Sequence, residues 1–246
     1  MSHSQWEVIR LKKAKVDSAK NSIYTRHARA IMVAARHGAD PDANFSLRTA
    51  IDKAKIAGLP NDNIERAIKK GAGHLAGQDE LESIRYEGYG PNGVAVLMEI
   101  LTDNRNRTAA EVREAFNKTG GNLGETGCVS WMFDQKGVIQ IIGADDEEAL
   151  LLAVAEAGGD DFSYSGENVQ VFCDYTQLET VSNHLRNKGY HVKDISIHWI
   201  PNSMVSLDEP EAAKQVLKLM DRLDALDDVQ NVFANFQIED TVLSAL

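Results

Sequence analysis

The stretch 137–200, GVIQIIGADDEEALLLAVAEAGGDDFSYSGENVQVFCDYTQLETVSNHLRNKGYHVKDISIHWI, decides how the chain is read. Gly137–Ile142 is a short apolar run of strand character. Asp145–Ala157 has helical spacing and stops at Gly158-Gly159. Phe162–Ser165 and Val169–Cys173 flank Gly166-Glu167 as a hairpin. Tyr175–Lys188 is a second helix, ended by Gly189, and His191–Ile200 is a closing strand. Strand, helix, strand, strand, helix, strand is the split arrangement of a ferredoxin-like unit, complete in itself.

Upstream, Ile84–Tyr89 and Val94–Leu101 read as strands joined by the turn Gly90-Pro91-Asn92-Gly93. A helix follows over Thr108–Lys118, with Thr108 and Glu111 as a capping box, and Cys128–Phe133 reads as a strand. This set is one helix short of a sandwich. The tail supplies a helix, Glu209–Leu226, and a strand, Asn231–Ile238. Counting elements therefore returns the tail to a discontinuous α+β domain, 79–133 plus 205–246, and makes 134–204 an insertion in it.

Residues 1–78 are read as a basic helical domain preceded by an arm. Three helices fit: Ser22–His37, with Ile23, His27, Ala30, Ile31 and Ala34 on one stripe; Pro41–Ala57, with Leu47, Ala50, Ile51 and Ala54 inward; and a short one closed by Gly71, with Ile64, Ala67 and Ile68 inward and Asp62 and Glu65 as a capping box. The fold class is thus α+β: an N-terminal three-helix domain, then two α+β domains, the last ferredoxin-like and inserted in the middle one.

Charge divides at nearly the same place. Residues 1–73 carry 14 Lys and Arg against 7 Asp and Glu, and the other 173 carry 12 against 30. A basic head on an acidic body points to a segment that meets a polyanion while the rest is kept off it. Between Arg10 and Lys20 the arm carries five cations, Arg10, Lys12, Lys13, Lys15 and Lys20, and a single acid, Asp17, next to Trp6, which either stacks on a base or anchors the arm to the protein. Arg26, Arg29 and Arg36 group on the first helix, while Arg48 and Lys55 face outward on the second. All are candidate phosphate contacts, with a plain solvated surface as the alternative. In the body, Arg105 and Arg107 sit ahead of a helix start, where cations oppose the dipole. They either form an anion site or pair with Asp103 or Glu111.

Other constellations are bland. Gly88–Gly93 lacks the Gly-Lys-Ser/Thr ending of a phosphate loop and reads as a tight hairpin. Asp145–Glu148 complement a helix dipole. His184, His191 and His198 do not have zinc spacing, and no nucleophile stands out. No apolar run approaches the roughly 18 residues that span a bilayer, and the start lacks a signal-peptide core. The only cysteines, Cys128 and Cys173, suit a reducing compartment. The expectation is a cytoplasmic, non-enzymatic protein with no cofactor, no metal, no membrane and no small-molecule substrate.

Several motifs in order resemble one family: His3-Ser4-Gln5-Trp6, Leu47–Lys55 (LRTAIDKAK), Pro60–Ile68 (PNDNIERAI), Arg85–Pro91 (RYEGYGP), Leu101–Thr108 (LTDNRNRT), Gly120–Gly124 (GGNLG) and Val129–Phe133 (VSWMF). These closely resemble the YebC family, which includes the mitochondrial translational activator of cytochrome c oxidase subunit I. The resemblance spans essentially the whole chain and is weakest over 145–246. It implies a helical bundle plus two α+β domains, the last inserted in the middle one, and a cytoplasmic or organellar regulator of gene expression without catalytic activity. Bacterial members carry the label of DNA-binding transcriptional regulators; others act in translation, associating with the ribosome and relieving stalls on difficult stretches such as proline runs. The start departs from the family's usual Gly-His-Ser-Lys-Trp-x-Asn-Ile-Lys: the Gly is absent, Gln5 replaces the Lys, Val8 the Asn and Arg10 the last Lys.

The leading expectation is a nucleic-acid-binding regulator associated with RNA or the ribosome. The head offers no obvious base-reading helix, and an acidic body fits backbone and shape recognition of a folded RNA. A DNA-binding transcriptional regulator and a protein–protein adaptor working through the acidic body are the alternatives.

Overall fold

The computed structural model describes residues 19–73, 81–144, 146–165 and 168–243. The described chain forms two compact units. One is residues 133–202, and the other joins 19–132 to 203–243.

The second unit begins with three helices: α1 (Ala19–Ala35), α2 (Phe45–Ile56) and α3 (Asn61–Gly71). Ile31, Leu47, Ile51, Ala54, Ile64 and Ala67 fill one small core between them. The second helix begins four residues later than Pro41. Asn44 caps it, its side-chain oxygen accepting from the Leu47 N–H at 3.0 Å, while its amide donates to the Ala34 and Gly38 carbonyls at 2.8 Å each. One side chain thus starts α2 and ties down the α1 terminus, which makes Pro41–Asn44 a turn. The expected Asp62–Glu65 box is absent: Pro60 occupies the cap of α3 and no side chain caps it.

The rest of this unit is a sheet of order β3-β1-β2-β9, built from β1 (Glu82–Tyr89), β2 (Ala95–Thr102), β3 (Asn122–Leu123) and β9 (Val229–Ala234). The strand β2 lies between β1 and β9, so seven of its eight residues are buried. Val96, Met98 and Ile100 share a core with Val112 and Phe116 of α4 (Arg105–Asn117) and with Val216, Leu219, Met220 and Leu223 of α7 (Pro210–Asp224). Tail and middle segment therefore share one core. The hairpin at Gly90–Gly93 is a single 3-10 turn closed by Gly90 N–H to the Val94 carbonyl at 2.8 Å. Gly88 is required: a Cβ there would lie 2.6 Å from the Asn122 carbonyl and 2.9 Å from the Phe116 ring, so only glycine lets β1 meet β3 over α4.

Three elements differ from expectation. The helix α4 begins at Arg105, capped by Asn104 through the Arg107 N–H at 3.1 Å, so Thr108 sits inside it and forms no capping box. Cys128–Met132 is a turn and a 3-10 segment, with strand geometry beginning only at Phe133. Buried Glu87 explains this: its carboxylate accepts from the N–H groups of Gly127, Val129 and Ser130 at 3.0, 2.8 and 2.8 Å, bending a segment whose apolar residues look like a strand. Asn231–Ile238 is not one strand but β9 followed by β10 (Phe236–Ile238). Between them, buried Asn235 accepts from the Ala95 N–H through its side chain and from the Val205 N–H through its carbonyl, both at 2.7 Å. The chain thereby leaves β2 and pairs in parallel with β8 (Val205–Leu207). A short helix, α8 (Asp240–Leu243), follows.

The first unit holds β4 (Phe133–Ile142), α5 (Glu147–Ala157), β5 (Asp161–Ser165), β6 (Asn168–Asp174), α6 (Leu178–Asn187) and β7 (His191–Pro201). Its antiparallel sheet has the order β5-β6-β4-β7, the ferredoxin-like arrangement. Asp146 caps α5 through the Ala149 N–H, and Glu147 and Glu148 lie in its first turn, so this acidic run works as a helix start. Cys173 is fully buried, and burial pushes its thiol up to about 11.

Candidate nucleic-acid interface

Arg26 and Arg29 are three residues apart on α1, so they share a face. Both reach the end of α7 and the loop after it. Arg26 donates to the Asp224 carbonyl at 2.6 Å and pairs with its carboxylate at 3.2 Å. Arg29 donates to the Asp227 carbonyl at 2.7 Å and to the Asp228 carboxylate at 2.5 Å. Cations at a helix C-terminus satisfy its last carbonyls and complement its dipole.

Asp228 is the meeting point. Its side chain is 3 % exposed. The hydroxyls of Thr102 and Thr108 lie 2.9 and 2.6 Å from its Oδ2, and Arg107 donates to the same oxygen at 2.7 Å. Its carbonyl accepts from the Leu101 N–H at 2.8 Å. Burial pushes this carboxyl upward, but the bonds from Thr108, Arg107 and Thr102 and the charge of Arg29 outweigh burial and hold it below the usual range. One aspartate thus fastens α1, β2, α4 and the α7–β9 connection together.

These contacts reassign part of the expected set. Arg26, Arg29 and Arg107 are occupied by carboxylates and carbonyls of the same chain, Arg107 also pairing with Asp103 at 2.8 Å. Arg105 is exposed, 3.7 Å from Glu82. Arg48 donates to the Pro41 and Asp42 carbonyls and lies over the Phe45 ring. Arg36 and Lys55 are exposed with no carboxylate partner among the described residues. Trp6, Arg10, Lys12, Lys13 and Lys15, and the side chain of Lys20, lie outside the described residues.

Sequence pattern alone does not single out the cations of α3. Arg66 and Lys70 are one turn apart on it, and neither has a partner among the described residues, while Lys69 makes only a long contact to Glu65 at 4.0 Å. Their i, i+4 spacing was the available signal. Trp131 is 72 % exposed, and its indole N–H and the Tyr89 hydroxyl both donate to the Cys128 carbonyl at 3.1 Å. Among the described residues, no group of three His, Cys, Asp or Glu could hold a metal ion. Nor is any described helix long and apolar enough to cross a membrane.

The same division into head and body appears in comparison with known proteins. Residues 4–74 match the TACO1/YebC N-terminal domain, and residues 81–236 match the TACO1/YebC second and third domain. The chain belongs to the YebC family. A YebC relative in Synechococcus sp. (strain JA-2-3B'a(2-13)), named a probable transcriptional regulatory protein, is 60% identical over 99% of this chain and 98% of its own. One of the same name in Gloeothece citriformis is 56% identical over 98% and 97%. The crystal structure of a conserved hypothetical protein from Aquifex aeolicus shares the fold, with a TM-score of 0.86, 45% identity, and 96% and 98% of the two chains covered. YebC membership accounts for the motifs now seen in three dimensions: Leu101–Thr108 supplies Thr102, Arg107 and Thr108 to Asp228, and Arg85–Pro91 supplies Glu87.

Proposed function

We propose that this YebC protein is a non-catalytic, nucleic-acid-binding regulator of gene expression that works on RNA in association with the ribosome. The observation that carries this reading is the distribution of uncommitted charge. In the body, Arg107 is paired with carboxylates and Arg105 lies near one, and cations without a carboxylate partner among the described residues, such as Arg113 and Lys214, belong to a segment with a large excess of acids. On the head, Arg36, Lys55, Arg66 and Lys70 have no such partner among the described residues, and the arm adds Arg10, Lys12, Lys13, Lys15 and Lys20. Phosphates are the counterions that such a surface lacks. A body with 30 Asp and Glu against 12 Lys and Arg restricts contact with a polyanion to one end. Backbone contact without a base-reading helix favours a folded RNA over an operator.

The names of the relatives favour the second reading, a DNA-binding transcriptional regulator. Filter binding of the full chain to a structured ribosomal RNA fragment and to promoter duplexes, at matched ionic strength, separates the two. Tighter binding to the RNA is expected. Retention of promoter fragments alone would favour transcription.

A further inference from the structure

The helices α1 and α3 meet so closely at Met32 and Gly71 that a Cβ on Gly71 would overlap the Met32 carbonyl. Away from that contact an open groove of about 380 Å³ lies between them. Ala28 and Met32 of α1, with Leu59 before α3, form its apolar wall. Tyr24 stands at its side, and Arg66 and Lys70 line it from α3. No carboxylate lines it. The Tyr24 hydroxyl has no hydrogen-bond partner among the described residues and lies near Gly58, where a Cβ would be 3.5 Å away.

An apolar slot of ligand size with a phenol on one side and two uncommitted cations on the other is complementary to a flat, apolar-faced group carrying negative charge. We propose that the groove seats an unpaired nucleobase of a single-stranded nucleic-acid segment. The base lies against Ala28 and Met32 beside Tyr24, and Arg66 and Lys70 hold the flanking phosphates. This rests on the nucleic-acid reading above and adds to it a pocket that a continuous duplex does not fill, because paired bases are not available to enter it. Arg66 and Lys70 project from one face one turn apart, which suits successive phosphates of an extended strand.

The test measures binding of fluorescent U12 RNA and a 12-base-pair RNA duplex to the full chain by anisotropy, across a salt series. Ala28→Leu narrows the groove and leaves every charge in place. It is expected to weaken U12 by about tenfold and leave the duplex unchanged. The Arg66→Gln/Lys70→Gln pair is expected to reduce the U12 salt slope by about 1.4, two phosphate contacts' worth. U12 bound by Ala28→Leu as by the unsubstituted chain, with its melting temperature unchanged, overturns the groove while leaving the nucleic-acid reading standing. An unchanged salt slope in the glutamine pair does the same, and it decides alone if Ala28→Leu melts early. An unsubstituted chain that binds neither RNA at any salt overturns the underlying reading instead.

Discussion

Arg29 and Asp228, 199 residues apart in the chain, are joined by a 2.5 Å charge-assisted hydrogen bond that fastens the helical head to the body. The carboxylate is almost completely buried, and Arg29 is 16 % exposed. Around it converge two threonine hydroxyls and a second arginine, so its removal strands several polar groups at once. Asp228→Ala is expected to cost about 3–5 kcal/mol, read as a lower denaturant midpoint with little change in slope. A loss below about 1 kcal/mol would show that the cluster is not a fastening.

Acid sensitivity follows from the same residue. The Asp228 carboxyl is held below its unfolded value, so its contribution is full above about pH 4 and is lost as pH falls through the lower, folded value. Glu87 acts in the same direction: burial pushes it up, and the backbone N–H groups of Gly127, Val129 and Ser130 more than compensate. Melting temperature should therefore fall as pH drops below about 4. Asp228→Asn should melt lower at pH 7 and show a shallower decline in acid. Parallel curves for the two proteins would contradict the assignment.

Glu87 holds the Gly127–Ser130 loop through three backbone N–H groups and has no cation beside it among the described residues. Glu87→Gln keeps the size but turns a donor toward one of these N–H groups. It should cost about 1–3 kcal/mol and expose the loop to proteolysis, with cleavage appearing between Gly124 and Trp131. Protease resistance equal to that of the unsubstituted chain would remove Glu87 from this role.

The head's cations divide into two kinds, and substitution should separate them. Arg36→Glu with Lys55→Glu changes exposed, uncommitted cations at two helix C-termini, so stability should fall by no more than about 1–2 kcal/mol while RNA affinity falls. Arg29→Ala should lower the denaturant midpoint clearly, because it leaves the buried Asp228 short of a donor. The reverse pattern, with binding unmoved by Arg36→Glu/Lys55→Glu, would place the nucleic-acid contact elsewhere.

Elements with strong periodicity were legible from residues alone. The 137–200 stretch folds with the sheet order its pattern implies, because each strand and helix there carries its own apolar face and its own stop. Local reading failed where a distant polar group intervenes. Cys128–Phe133 is apolar enough for a strand, but Glu87, some forty residues earlier, bends it. Asn231–Ile238 reads as one strand until Asn235 exchanges hydrogen bonds with Ala95 and accepts one from Val205. Thr108 looks like a cap, yet Asn104 takes that place and the threonine turns inward to Asp228. The same limit applies to the candidate site. Composition locates a basic head but does not distinguish Arg29, committed to a buried carboxylate, from Arg36, which is exposed, and Asp227-Asp228 reads as acidic surface until the fold buries the second of them.

Binding of ribosomal RNA phosphates by the basic head is the step on which the proposed function rests. Sedimentation of the full chain through sucrose gradients of cell lysate, at rising salt, tests it most directly. The protein is expected to run with ribosomes at 50 mM salt and to leave them by 200 mM, where neutralising about six phosphates implies roughly a thousandfold weaker binding. A protein that stays at the top of the gradient at low salt, or that stays with ribosomes regardless of salt, would contradict it.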